Sequence, residues 1–163
     1  MPDLVAWRLQ KPQYGESPAD LLSGEGAWRA GGRWNSRGRR VVYLSSSLAL
    51  ATLEMLAQAR NAVILPHYLK LSIRIPEDVI FELGPSDWPP GWDDQHLHPS
   101  GAQQIGDTWV DLKQSAALLV PSAVVPEEWN VLVNPAHPDF KQIVVGDVSA
   151  YRVDPRIAKR LDK

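Results

Sequence analysis

Two residues stand out by type and setting: Arg33, in a glycine-punctuated basic stretch, and Glu54, alone in an apolar one. From Arg29 to Arg40 the residues Arg29, Arg33, Arg37, Arg39 and Arg40 put five guanidinium groups into 12 positions. Gly31 and Gly32 directly precede Arg33, and their missing side chains let backbone amides come close to an anion. A guanidinium offers planar paired donors that suit phosphate, and a hydrogen bond to a charged group contributes about 1.5–3 kcal/mol. Arg33, wedged between Gly-Gly and Trp-Asn, is therefore the anion-binding candidate. Arg37, Arg39 and Arg40 read as solvated or substrate-steering charges.

Glu54 is the only charged residue between Val41 and Ala59. A helix this apolar is covered on most sides. Burying an unpaired carboxylate costs several kcal/mol, so Glu54 either pairs with a cation or faces a cleft. Tyr43 lies between the basic stretch and the Glu54 helix, where a tyrosine packs in the core or offers a ring to a planar ligand. Ser122, bracketed by Pro121 and Pro126, sits at a fixed bend where a serine caps a turn or presents a hydroxyl.

Those residues need a frame. Leu4 to Leu9 reads as a first strand, and Ser17-Pro18 as an N-cap and first helical position before a short helix at Ala19 to Leu22. Gly24 to Arg40 is too polar for core and reads as a surface loop. Val41 to Leu44 is a strand, with Ser45, Ser46 and Ser47 as N-cap candidates for a helix over Leu48 to Ala59. His67 to Ile75 alternates, with His67, Leu69, Leu71, Ile73 and Ile75 on one face and Tyr68, Lys70, Ser72 and Arg74 on the other. Gly84 to Gly101 is a long proline-rich loop, of the kind that is functional or disordered. A helix at Ala102 to Gln114 and strands at Ala117 to Val120, Asn130 to Val133, Ile143 to Val148 and Ala150 to Val153 complete the order. Helices early and closely spaced strands late argue for an α+β fold with largely antiparallel sheets.

The bulk properties narrow the classes. A chain of 163 residues suits one domain, 1–163, with one core. A net charge of −2 advertises neither a nucleic-acid nor a membrane partner. Without cysteine there is no disulfide, thiol nucleophile or Cys-bound zinc. His96 and His98 with Asp93 and Asp94 lack a third ligand at a recognisable spacing, so no metal is expected. No Walker-type loop, dinucleotide-binding glycine motif or Gly-x-Ser-x-Gly elbow is present. The N-terminus lacks the apolar core of a signal peptide and no run reaches membrane-spanning length, so a cytoplasmic protein is expected.

The run GGRWNSRGRRVVYLSSSLALATLEML, followed by VPSAVVPEEWNVLVNPAHPDF, resembles the RES-domain family of bacterial toxins. Its most specific part is G-G-R-W-N with a Tyr ten residues after the Arg and a Glu eleven after the Tyr. The V-P-S-A block with a downstream N-P-x-H-P is a second match, and the likeness runs from Trp7-Arg8 to Val153. The resemblance implies a fold like that of ADP-ribosyltransferases, with two small antiparallel sheets and flanking helices around an NAD cleft. It implies an enzyme that degrades NAD as substrate, by hydrolysis or phosphorolysis, with no prosthetic group, and in some members transfer of ADP-ribose to protein. It also implies an Xre-type helix-turn-helix antitoxin whose C-terminal part blocks the cleft. Carried over by residue, the catalytic set is Arg33, Tyr43, Glu54 and Ser122. The NAD-binding set is Arg33, Trp34, Asn35, Tyr43, Ser122 and Arg8, the last through the early arginine of the wider fold.

Alternatives remain at this point. A phosphate-binding nucleic-acid module would use the arginine stretch and bind with steep salt dependence. An interaction module would use the Trp88–Trp92 segment, and exposed aromatics there are compatible with a homodimer or a larger assembly.

Overall fold

Leu4–Gln10 forms strand β1, and the chain then turns through a single 3₁₀ turn into α1 (Pro18–Leu21). Ser17 caps α1 reciprocally: its hydroxyl accepts from the Asp20 N–H, and the Asp20 carboxylate accepts from the Ser17 N–H. In the computed structural model, which describes residues 2–59 and 66–158, the Gly24–Arg40 stretch is not the plain surface loop its polarity suggests. It begins with α2 (Glu25–Ala30), which ends at Gly31 with a left-handed φ of 72°. It continues with Trp34 and Asn35 buried. Polarity misleads here because Asn35 finds its hydrogen bonds inside the protein: its amide donates to the carbonyls of Ala27 and Ser36.

Strand β2 (Val42–Ser45) leads to α3 (Leu48–Gln58), capped by the Ser47 hydroxyl, which accepts from the Leu50 N–H at 3.0 Å. Then come β3 (His67–Ile75), β4 (Ile80–Glu82), α4 (Ser100–Asp111), β5 (Ala117–Pro121), β6 (Trp129–Val133), β7 (Val144–Val145), β8 (Ser149–Arg152) and α5 (Pro155–Ala158). Three expectations change. β4 is new and pairs in parallel with β5. The strand expected over Ile143–Val148 shrinks to two residues, because Gly146 crosses tightly over the Ser72 carbonyl and turns the chain away. In β3, His67 is exposed and Tyr68 buried, since Tyr68 packs against Met55, Leu56 and Ala59 at the end of α3.

The strands run in the order β4-β5-β6-β2-β1-β3-β7, with β8 also pairing β3, and every pair but β4–β5 is antiparallel. β1 and β3 pair along all of β1, from Leu4↔Ile75 to Gln10↔Leu69, and β2 and β6 from Val42↔Val133 to Ser45↔Asn130. Among the described residues, β1 and β2 meet at one pair only, Trp7↔Ser45. Beyond it the ladder opens. The fold is α+β, with a mixed sheet, antiparallel but for β4–β5, that is split between β1 and β2. One face buries Ala6, Leu44, Ile73 and Val131 beneath Leu21 and Leu22. The other buries Trp34, Leu118, Leu132 and the Trp109 of α4.

Candidate active site

A cavity of about 510 Å³ occupies the split, within the size range usual for small-molecule sites. Arg8 and Gln10 point to one side of β1 and Trp7 and Leu9 to the other, yet all four line this cavity. It therefore passes through the opening in the sheet rather than lying on one face. α3 contributes Ala51, Glu54, Met55 and Gln58, β2 contributes Tyr43 and Ser45, and β6 contributes Asn130.

Glu54 is fixed from behind. Its Oε1 accepts from the Ser122 hydroxyl at 2.6 Å and from the Asn130 amide at 2.7 Å. Ser122 is fully buried, and its oxygen accepts in turn from the N–H groups of Val124 and Val125 at 3.1 and 3.0 Å. Asn130 is oriented by the Ser45 hydroxyl, which donates to its Oδ1 at 3.0 Å. The bend that carries Ser122 thus turns two backbone donors onto one hydroxyl, which donates its own hydrogen bond to the carboxylate. The other oxygen of Glu54 takes no hydrogen bond among the described residues, and the residue lines the cavity.

Arg8 is the second charge in the cavity. Its Nη1 donates across the split to the Tyr43 carbonyl at 3.0 Å, an acceptor that the opened ladder leaves free of a β1 partner. Nη2 reaches Gln10 Oε1 at 3.4 Å, and the sealed Nε has no hydrogen-bond partner. Among the described residues no carboxylate pairs with Arg8. Burial alone brings its guanidinium down to about 10. A buried donor without an acceptor costs about 1–3 kcal/mol, and a sealed Nε is out of reach of a ligand in the cavity, so Arg8 would meet one through its Nη groups.

Residues 5–154 match the RES domain. The chain belongs to the RES domain family. At the level of sequence it is similar to the Prs ADP-ribosylating toxin of Sphingobium sp., at 40% identity over 87% of this chain and 89% of the relative. It is similar to Toxin Res of Yersinia enterocolitica at 38% identity (85% and 91%) and to Toxin Res of Photorhabdus laumondii at 37% identity over 98% of both chains. Its fold matches a chain in the crystal structure of the Mycobacterium tuberculosis MbcT–MbcA toxin–antitoxin complex. That match has a TM-score of 0.73 at 20% identity and covers 98% of this chain and 88% of the other.

Set on this RES domain, the residues singled out in the sequence fall into two groups. Glu54, Tyr43 and Arg8 line the cavity, and Ser122 stands directly behind Glu54. Arg33 does not line it; its Nη1 donates to the Trp92 carbonyl. Tyr43 is the wall between them. Its hydroxyl donates to Asn35 Oδ1 at 2.6 Å and accepts from the Trp34 N–H at 3.2 Å. Burial pushes the Tyr43 phenol up, against the opposing pull of the Trp34 N–H and the Arg33 charge. Trp34 and Asn35 are buried behind that wall, and their side chains meet protein rather than the cavity.

Trp88 and Trp92 pack edge to face with ring centroids 5.3 Å apart, and Trp92 is buried, so the rings turn inward instead of forming the exposed contact surface the sequence suggests. Among the described residues no three His, Cys, Asp or Glu side chains converge as a metal site, and no helix is long and apolar enough to cross a membrane. Asn130 and Ser45 were missed by sequence reasoning. Their sole signal, a polar residue facing inward on each of two apolar strands, gains meaning once Ser45↔Asn130 is known to be in register.

Proposed function

We propose that this protein is the toxin of a toxin–antitoxin system and that its cavity binds NAD and cleaves the nicotinamide–ribose bond. The carrying observation is a braced carboxylate, Glu54, sharing one cavity with a half-buried arginine, Arg8, that has no carboxylate partner among the described residues. Arg8 would take the diphosphate. As the glycosidic bond breaks, its electron pair leaves with nicotinamide and positive charge builds on the ribose. A carboxylate held at that point stabilises the charge without having to reorganise, and its free oxygen can hydrogen-bond a ribose hydroxyl. Water or phosphate then attacks the ribose carbon, and the proton it loses goes to solvent.

Arg33 would join on binding. Its present partner is the neutral Trp92 carbonyl, and exchanging it for a charged phosphate oxygen would pair two opposite charges. Tyr43 would face a ring of the substrate. The names of the relatives and the toxin–antitoxin setting of the structural neighbour support the toxin reading. The proposed partner is a cytoplasmic Xre-type helix-turn-helix antitoxin that fills the cleft, with a homodimeric toxin inside the larger complex. No prosthetic group or metal enters this scheme.

A second reading, transfer of ADP-ribose to a protein, is favoured by the name of the Sphingobium relative. Incubation with NAD labelled in its adenosine part separates the two, because transfer labels a macromolecule and hydrolysis or phosphorolysis leaves small products. Purified protein should release nicotinamide from NAD, and Glu54→Ala should lower the rate by about 10²–10³, the usual cost of losing one preorganised group. A folded wild type that releases none, with or without phosphate and without labelling a protein, would overturn the enzyme reading.

A further inference from the structure

The turn that carries Arg33 is gripped from outside the cavity by one face of α4. Gly32 and Asn35 bridge each other, with the Gly32 N–H donating to the Asn35 carbonyl at 2.9 Å, so Arg33 and Trp34 form the tip of a tight hairpin. At its start the Gln103 amide donates to the Gly32 carbonyl at 2.9 Å. At its tip the Trp34 carbonyl lies directly against the bare Cα of Gly106. At its exit Asp107 accepts twice from one residue: Oδ1 from the Ser36 N–H at 2.9 Å and Oδ2 from the Ser36 hydroxyl at 2.6 Å. Arg39 closes the set, donating to Ser36 Oγ at 2.8 Å and sitting 3.4 Å from Asp107 Oδ2. Positions 103, 106 and 107 share a helix face, so a single rigid element aligns the hairpin along its length.

We infer that Asp107 is a positioning residue for the proposed reaction: it sets the Arg33 hairpin, and through the Tyr43 hydroxyl bonded to that hairpin, the cavity wall. Asp107 is absent from the cavity lining and touches no candidate catalytic side chain directly. Its carboxylate is largely shielded, with 18% of the side chain exposed, and it is spent on Ser36 and Arg39. The neighbouring Asp111 serves as a control, since its oxygens bind Arg39 alone and leave the hairpin backbone untouched.

The activity arm of the test rests on the proposed NAD cleavage; the exchange arm does not. In Asp107→Ala, amide hydrogen exchange over residues 32–36 should quicken at least tenfold, with the β5 and β6 amides unchanged. Misplacing a reactive group by about 1 Å costs on the order of 10² in rate, so kcat for nicotinamide release should fall ten- to a hundredfold. KM should change by less than threefold, because Arg8 and Glu54 keep their places. Asp107→Asn, which keeps one acceptor for the Ser36 N–H, should fall between wild type and Asp107→Ala, and Asp111→Ala should stay within twofold of wild type in both assays. Unchanged exchange over residues 32–36 in folded Asp107→Ala would overturn the inference, as would exchange that quickens equally in β5 and β6. If the wild type consumes no NAD, the proposed function fails and the exchange result alone decides the role of Asp107.

Discussion

Arg8 and Glu54 both hold a charge in a half-buried place on the cavity wall, and the difference lies in what answers each charge. Glu54 has two donors on one oxygen, and each donor is held by a further hydrogen bond. Arg8 has two neutral acceptors and an Nε with none. Burial lowers its guanidinium to about 10, below its value in the unfolded chain. Below pH 10 the group is charged in both states, so its desolvation penalty is present in full at neutral pH. As pH climbs past 10 the unfolded chain binds more protons than the folded one, and the penalty is relieved. Among the described residues no carboxylate pairs with it, which fits a residue kept for a ligand rather than for stability. Replacing a buried charge by an apolar side chain of similar length is often neutral or stabilising. Arg8→Met should therefore hold or raise the thermal midpoint while abolishing the stabilisation that ADP-ribose confers, both read in one melting series. A midpoint several degrees lower with the ligand response intact would give Arg8 a structural role instead.

At the next scale, α4 shows how an element can be legible while its purpose is not. The expected helix at Ala102–Gln114 forms at Ser100–Asp111, yet no periodicity says that its polar face holds Gly32, Trp34 and Ser36, which lie about 70 residues earlier. Gly106 exposes the conflict. Propensity alone predicts that Gly106→Ala gains about 1 kcal/mol in the middle of a helix. The structure reverses the sign, because the added methyl would collide with the Trp34 carbonyl oxygen, which is backbone and cannot step aside. Overpacking of this kind costs about 1–3 kcal/mol, so urea unfolding of Gly106→Ala should show a net loss. A net gain would mean that α4 and the hairpin can part at little cost.

The same division holds elsewhere. The α3 helix and β3 were readable because their hydrophobic spacing is local. Buried Asn35 was not, because the carbonyls of Ala27, Ser36 and Arg39 that satisfy its amide converge on it only through the turn that follows α2, which no hydrophobic spacing marks. For the site, Glu54 and Arg33 announced themselves by type and isolation, but the reach of Arg33 to Trp92 and the bond from Asn130 to Glu54 depend on strand register and loop packing.

Across the whole molecule the sheet is two halves that meet, among the described residues, at Trp7↔Ser45, with the cavity between them. A ligand held by Arg8 of one half and by Glu54, Tyr43 and Asn130 around the other would bridge the split. It would then stabilise the fold as a unit. Ligand at a hundred times its dissociation constant adds about 2.7 kcal/mol. In a chain of this size each kcal/mol moves the midpoint by about 2–4 °C, so ADP-ribose should raise it by roughly 5–11 °C in one cooperative transition. Salt then tells which arginines are responsible. Exposed charges are screened within about 3 Å at 1 M salt, whereas an enclosed charge is screened far less. Arg29, Arg37 and Arg40 are exposed, whereas Arg8 is half-buried with its Nε sealed. With ligand kept saturating, more than half of the shift should survive a rise from low salt to 0.5 M. A shift that collapses over that range would move the anion out of the split and onto the exposed arginines around α2, leaving the sealed Nε of Arg8 unexplained.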